Sequence, residues 1–225
     1  MKNLKVQAFF NSPLNGELSH LDSIIEQKLF LTFPKQHGKK PLKTSDLSEL
    51  KKNVSIPIEK VEIGGKKIYC CSDPIPDFVL SEWIEYQNKK IDTSHLALLI
   101  RKQDRKCMNY TSGAYKMVHN PLHIRLFNSV TWFVRGDLDK LKEILSEVKS
   151  MGENRSIGYG IISEWKFEEI QNDYSIFADF EDKKLLMKTI PFIEDEKIAG
   201  CRVAYGAVDS PRWHPDNYIK VLKPC

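Results

Sequence analysis

Apolar and polar residues alternate near the start of the chain, and this pattern predicts a strand over Lys5–Phe10. Val6, Ala8 and Phe10 would then face the same side of a sheet. After an intervening loop the apolar positions recur at helical spacing, which predicts a helix with Ser19 as its N-cap. The buried side of this predicted helix consists of Leu21, Ile24, Ile25 and Leu29.

Three further elements are predicted from the middle of the chain. Gly64 and Gly65 separate two alternating runs within Val61–Ser72, which predicts a β-hairpin. The segment Asp77–Gln87 is predicted to form a short helix. The apolar run Val130–Arg135 predicts a buried strand.

The strongest helical signal comes directly after that run. Asp137 is a good N-cap for a helix over Leu138–Met151, whose apolar residues fall on one face, and Gly152 is suited to the position after its end. A long strand is then predicted from Ile161, because apolar side chains alternate with polar ones up to Phe167.

This order of elements predicts an α+β protein with a ferredoxin-like (RRM-like) βαββαβ core, insertions and a C-terminal extension. We expect a single RNA-binding domain over residues 1–225, with the extension at 171–225. Residues 34–60 form a polar insertion that is predicted to have little regular structure beyond a short helix near Ser45–Lys51. In such a fold the free sheet face and the loops at its rim are available to RNA.

The composition is compatible with an RNA-binding protein and argues against a membrane protein or a metal-binding protein, but it does not identify the function. The 225 residues carry a net charge of +4, which is compatible with RNA binding, and 41% are hydrophobic, which supports a folded core. No run approaches the ~20 apolar residues of a membrane helix, so no membrane contact is predicted. Five cysteines without a C-x-x-C motif predict free thiols in the cytoplasm, with no metal site and no cofactor.

The segment Met151–Gly160, here called the glycine loop, is the most informative local motif. It does not fit an NTPase or dinucleotide loop, because a helix precedes it and a strand follows, whereas those loops open a helix. Its glycines would let an RNA backbone approach closely, and Lys149, Arg155 and Ser156 would bind phosphates. The residues alone favour the alternative, in which the glycines only shape the turn after the helix.

Basic residues are concentrated in Arg101–Arg125, here called the basic stretch. The candidate phosphate-binding side chains in this stretch are Arg101, Lys102, Arg105, Lys106 and Lys116. Tyr115 and His119 lie among them and would stack on unpaired bases. The alternative is an ordinary solvated basic surface.

Several segments together resemble a known family. They are Ser112–Lys116, His119, Val130–Trp132, Gly136–Asp137, Gly152–Gly160, Trp165, Leu186–Pro191 and the tail Pro211–Cys225. In this order they resemble the RAMP-superfamily, Cas5-like subunit of type IV CRISPR systems, which holds the 5′ handle of the guide RNA (crRNA). The resemblance covers about half of the chain, from Lys106 onward.

The resemblance implies a non-catalytic subunit of an effector ribonucleoprotein that caps one end of the assembly. Gly158, Tyr159 and Gly160 would contact the crRNA handle, with the Arg101–His119 segment beside them. The implied partners are crRNA and the backbone and large subunits of the complex, and contact with target DNA is left open.

Two other functions stay open at this point. The first is a metal-independent endoribonuclease, in which Tyr115, Lys116 and His119 would supply the base, the acid and the cation that RNA cleavage needs. The second is a general RNA-binding module with an RRM-like sheet. The first is the principal alternative, because histidine, tyrosine and lysine are the residue types that the chemistry requires.

Overall fold

The computed structural model describes residues 1–36, 55–89, 118–180, 183–194, 198–208, 212 and 217–225. Most of the predicted polar insertion, including the short helix expected near Ser45–Lys51, lies outside these residues. The helices in the described part are α1 (Leu21–Gln36) and α2 (Leu138–Ser146). None of the described helices is both long and apolar enough to cross a membrane.

The described residues also form fifteen strands, six of them in the first part of the chain. These are β1 (Lys2–Phe10), β2 (Leu14–Asn15), β3 (Lys60–Ile63), β4 (Lys66–Tyr69), β5 (Ile75–Pro76) and β6 (Val79–Lys89). The middle of the chain supplies β7 (Val118–Phe127), β8 (Ser129–Gly136) and β9 (Ile162–Glu169). The last part supplies β10 (Phe177–Phe180), β11 (Lys183–Leu186), β12 (Ile190–Pro191), β13 (Ile198–Ala199), β14 (Cys201–Ala207) and β15 (Tyr218–Pro224).

The main sheet has the strand order β5-β8-β1-β9, and all of its neighbouring strands are antiparallel. The register places Val6 between Trp132 of β8 and Phe167 of β9. Val6 and Trp132 are fully buried, and they belong to the same core as Ile25 of α1 and Leu145 of α2. The helices therefore cover this face of the sheet. We call this unit, with α1 and α2, the helical lobe.

The opposite face of the main sheet is polar and aromatic. Lys166 of β9 lies over the ring of Phe9, with its ammonium nitrogen 4.6 Å from the ring centroid. Gln7 donates a hydrogen bond to Thr131 at 3.0 Å. Since strand residues alternate between faces, these side chains are separated from the core by the sheet itself.

Helix α2 begins where the sequence predicts but ends earlier than predicted. The Asp137 carboxylate accepts hydrogen bonds from the backbone N–H groups of Asp139 and Lys140, as an N-cap does. The helix ends at Ser146 rather than Met151. Residues after it pair with the chain entering β9, because Ile162 N–H donates to the Lys149 carbonyl at 2.9 Å. This pairing replaces the last predicted turn of helix.

Strand β6 corrects a second prediction, the short helix at Asp77–Gln87. The segment pairs with β7 in a long antiparallel hairpin, in which Trp83 lies opposite the buried Ile124. The partner strand begins almost thirty residues later in the chain, so local spacing could not reveal it. Similarly, α1 begins at Leu21, one residue later than the Ser19 N-cap implies.

The second unit, here called the C-terminal lobe, contains β3, β4 and β10–β15 around a separate core. That core includes Ile68, Leu186, Ile190 and Val221. The predicted turn between β3 and β4 is confirmed, because Gly64 and Gly65 both have positive φ, at 57° and 73°. The strand order β12-β15-β14 forms one sheet of the lobe, and β10-β11-β13 forms another.

A buried ion cluster joins the two lobes. Arg212 Nη2 donates to Asp22 Oδ2 of α1 at 2.8 Å, and Lys188 Nζ lies 3.9 Å from the same oxygen. Lys188 is only 1% exposed and also donates to the Cys71 carbonyl at 2.7 Å. Burial alone would raise the pKa of Asp22, but the charges of Lys188 and Arg212 outweigh it and hold this pKa well below its usual range.

A second polar contact lies beside that cluster. His20 Nδ1 is 3.1 Å from Asp73 Oδ1, and the other Asp73 oxygen accepts from the Thr189 hydroxyl at 2.6 Å. Burial opposes ionisation of Asp73, but its hydrogen bond with His20 and nearby positive charge lower the Asp73 pKa overall. The Asp22 cluster and the Asp73 contacts therefore both connect the start of α1 with the segment around Lys188.

Candidate nucleic-acid interface

The glycine loop has a closed base. Met151 N–H donates to the Gly160 carbonyl at 2.9 Å, and Gly160 N–H donates to the Pro13 carbonyl at 2.8 Å. Glu153 N–H donates to the Asn15 carbonyl at 2.9 Å. The loop is therefore fixed to the segment between β1 and α1 at both of its ends.

Two glycines are required by this closure. Gly160 has a φ of 63°, and a Cβ there would lie 1.9 Å from the Met151 carbonyl oxygen. Gly152 has a φ of 84°, and a Cβ there would lie 2.7 Å from the Asn15 carbonyl oxygen. Any other residue would push the backbone segments apart. Since Gly160 is buried and its N–H is already bonded, its contribution is to shape the loop.

The tip of the loop is exposed. Asn154 adopts a left-handed conformation, a single 3₁₀ turn spans Arg155–Ile157, and Gly158 follows with a φ of 102°. The side chains of Arg155 and Ser156 are exposed to solvent. A Cβ at Gly158 would meet no other atom within 4 Å, so a ligand can approach its backbone closely.

Grooves lie on both sides of Lys149, and one of them reaches this tip. One has a volume of about 410 Å³ and lies between α1 and the loop, with Lys28 and Arg155 among its lining residues. The other, about 420 Å³, lies against β9 and includes Trp165. Lys149 borders both grooves, is exposed, and donates to the Ser146 carbonyl at 2.7 Å. A chain of phosphates lying in either groove would meet this lysine.

The loop also contacts the β6–β7 hairpin. The Tyr159 hydroxyl donates to Glu85 Oε2 at 2.8 Å, and this hydrogen bond to a carboxylate raises the pKa of Tyr159. Gly16 N–H donates to the His123 carbonyl at 3.1 Å, which ties the same region to β7. The structure thus brings Tyr159 and the hairpin together.

His119 lies on this hairpin but on its other face. Its ring stacks on Tyr86, with the ring centroids 4.5 Å apart, and its Nδ1 makes a hydrogen bond with Asn88. Asn88 and Glu85 are an odd number of residues apart in β6, so their side chains point to opposite faces. His119 is therefore separated from the glycine loop by the hairpin.

The remaining predicted site residues belong to a part of the chain that the structure does not describe. Those outside the described residues are Arg101, Lys102, Arg105, Lys106, Tyr115 and Lys116. Their roles stay predictions, and so does the convergence of Tyr115 and Lys116 with His119. Within the described residues, no group of three or more His, Cys, Asp or Glu side chains is arranged to hold a metal ion.

The sequence did not reveal the partners that close the loop. Pro13 and Asn15 contribute only backbone carbonyls, which carry no signal in residue type. Gly16 was a weak signal: its φ is 84°, and a Cβ there would lie 2.9 Å from the Glu153 side chain. The close approach of two backbones requires a glycine at Gly152, whereas Gly16 is suited by its positive φ.

Comparison with known proteins gives one family. The model for CRISPR type IV associated protein Csf3 matches residues 58–224, which is most of the chain and includes the hairpin, the glycine loop and the C-terminal lobe. No curated protein matches the sequence.

Proposed function

This chain belongs to the Csf3 family of type IV CRISPR-associated proteins, and from that membership we propose that it binds the repeat-derived 5′ handle of crRNA through its glycine loop. Membership makes it a subunit of a type IV CRISPR effector complex. Handle binding, the capping of one end of the assembly and the absence of catalysis are our proposal.

We also propose that the helical lobe is a ferredoxin-like, Cas5-like RAMP core. The strand order β5-β8-β1-β9 supports this, because the chain enters β1, passes through α1, and later connects β8 to β9 through α2. In a βαββαβ fold the first and third strands are central and the fourth lies beside the first. In this reading β1 and β8 are the central pair, and the β6–β7 hairpin is an insertion before β8.

The observation that carries the handle proposal is a rigid loop base below an exposed polar tip. Binding a flexible strand of RNA costs less when the protein segment is already ordered, and the hydrogen bonds at Met151, Glu153 and Gly160 supply that order. Arg155 and Ser156 then present a cation and a hydroxyl, the groups that most often bind phosphates. Lys149 extends the same contact along the grooves.

Strand β6 supports assembly with another subunit. One edge pairs with β7, and no described strand pairs with the other. Leu80 and Ile84 on this strand, and Phe78 directly before it, are each more than half exposed, and these residues with β6 are here called the β6 edge. Long apolar edges of this kind are sites where a partner chain adds a strand.

The charge around β6 favours protein over RNA as its occupant. Glu82 and Glu85 lie along it, Asp77 lies shortly before it, and no lysine or arginine occurs between Lys67 and Lys89. A phosphate backbone would be repelled by these carboxylates. We therefore assign the β6 edge to a neighbouring subunit with basic and apolar residues.

The handle proposal can be tested with the purified chain and labelled repeat RNA from its own locus, in EDTA. We expect Arg155→Glu to weaken binding about tenfold, equivalent to about 1.4 kcal/mol, because a phosphate contact becomes a repulsion. Gly158→Val should also weaken binding, because its φ of 102° strains a side chain. Fluorescence anisotropy measures both effects.

Lys66→Glu is the matched control, since Lys66 is an exposed lysine on β4 in the other lobe. It should bind repeat RNA like the wild type. Wild-type affinity in both loop variants would show that the loop assignment is wrong. The same samples run on a denaturing gel test the endoribonuclease alternative: a discrete product that disappears in His119→Ala would establish cleavage.

A further inference from the structure

Aromatic and basic side chains form a row across the C-terminal lobe. Tyr205 of β14 lies directly opposite Lys220 of β15. Phe192 follows β12 and continues the pairing, because its N–H donates to the Lys220 carbonyl at 3.1 Å. Tyr218 lies two residues before Lys220 and therefore on the same face. These four residues are here called the tyrosine platform.

The tyrosines of this platform are open to solvent. Tyr205 is 78% exposed and Tyr218 is 54% exposed. Both are among the most exposed large hydrophobic side chains of the described residues, and the lobe has its own core without them. Packing therefore does not explain why two rings lie at the end of this face.

The one charged side chain on this face of β14 and β15 is basic. Lys220 lies on the same face as Tyr205 and Tyr218, whereas Arg202 and Lys223 are an odd number of residues away along their strands and face the other side. The Lys220 ammonium lies 3.6 Å from the centroid of the Phe192 ring, which holds this cation on the same face as Tyr205. A cation beside exposed aromatic rings supplies the two kinds of contact that bind a single strand, a positive charge for a phosphate and a ring face for a base.

We propose that the tyrosine platform binds single-stranded RNA, with bases stacked on Tyr205 and Tyr218 and a phosphate held by Lys220. The exposed phenolic hydroxyls can also bond the ribose 2′-hydroxyl, which DNA lacks. This is a second RNA contact on a different lobe from the glycine loop. It depends on stacking and charge rather than on the handle sequence.

The platform can be tested with the full chain and a labelled oligouridylate of about 12 nucleotides, a length within the range of single-strand binding sites. Tyr205→Ala and Tyr218→Ala should each weaken binding roughly five- to a hundredfold, as expected for loss of one stacked base. Lys220→Ala should reduce the slope of log affinity against log salt by about 0.7. Tyr205→Phe should retain the stacking and most of the affinity.

Phe78→Ala is the matched control, because Phe78 is similarly exposed but lies beside Asp77 on the acidic β6 edge. It should bind the oligouridylate like the wild type, and circular dichroism should show that all variants are folded. Absence of binding by the wild type, or unchanged affinity and slope in the platform variants, would overturn the proposal. Tighter binding of oligodeoxyuridylate would overturn the assignment to RNA.

Arg155→Glu separates this proposal from handle binding. It should weaken binding of repeat RNA and leave oligouridylate binding within about twofold. If Arg155→Glu abolishes oligouridylate binding while Tyr205→Ala has no effect, the glycine loop binds both RNAs and the tyrosine platform binds neither.

Discussion

The β6 edge of the β6–β7 hairpin and the tyrosine platform of the C-terminal lobe are both exposed sheet surfaces, but their charges are opposite. Both have large aromatic residues, such as Trp83 on one and Tyr205 on the other. Glu82 and Glu85 lie on the strand of the first, whereas Lys220 lies on the same face as the tyrosines of the second. Exposure marks both as interaction surfaces, and charge then decides between a protein and an RNA partner.

The largest expected effect comes from removing one charge of the buried ion cluster that joins the two lobes. Lys188→Met should destabilise the chain by about 3–5 kcal/mol, because it leaves the buried Asp22 without one of its cations. Urea unfolding followed by tryptophan fluorescence measures this loss. Lys2→Met is the control, since it removes an exposed ion pair with Glu169 and should leave the unfolding midpoint unchanged. Equal midpoints for both variants would show that the buried cluster does not hold the lobes together.

Acid provides a second measurement of the same contact. The Asp22 and Asp73 pKa values are lower in the folded chain than the ordinary 3.8. Below that value the unfolded chain binds more protons than the folded one, so stability falls as the pH decreases toward the folded pKa values. The loss should be smaller in Asp22→Asn, which cannot take up the proton.

The next effect in size concerns the β6 edge. Leu80→Glu combined with Ile84→Glu should weaken association with the backbone subunit by about 2–4 kcal/mol, because charged residues replace apolar contacts at the centre of the surface. Isothermal titration calorimetry measures the affinity. Val203→Glu makes the same kind of change on the other lobe and should leave the subunit affinity intact. If Val203→Glu is the more damaging variant, the two surfaces have been assigned the wrong way round.

The smallest effect should come from reversing the charge of β6. Glu82→Lys removes an acid and adds a base beside the exposed Ile84 and Tyr86. If charge decides the partner, oligouridylate binding should strengthen severalfold and its salt slope should steepen by about 0.7 for the added phosphate contact. Anisotropy at several salt concentrations measures both. An unchanged slope would mean that the geometry of β6 itself excludes RNA.

Local signals were enough for several elements of the fold. The alternation around Val6 predicted β1, Asp137 predicted the start of α2, and Gly64-Gly65 predicted the turn between β3 and β4. Each of these depends on residues that are close in sequence. The helix predicted at Asp77–Gln87 was wrong because its strand partner, β7, is distant in the chain and its pairing outweighs local spacing.

The candidate site was predicted only in part, because some of its features are local in sequence and others depend on distant contacts. The glycine loop was visible as a motif, but its closure by the Pro13 and Asn15 carbonyls depends on folding. The platform was not visible, because Tyr205 and Lys220 come together only through the register of β14 and β15. The burial of Lys188 is also a tertiary property, although its position between Met187 and Ile190 was a hint.

Gly158 and Gly160 differ in the space that surrounds them, and this difference shows where a label can be inserted into the glycine loop. Its base tolerates no side chain at Gly160, whereas the space around Gly158 is empty. A short peptide tag or a fluorophore-bearing insertion between Ser156 and Gly158 would therefore be attached to a loop whose base is held by hydrogen bonds. Such a label would report occupancy of the tip while the core strands keep their register.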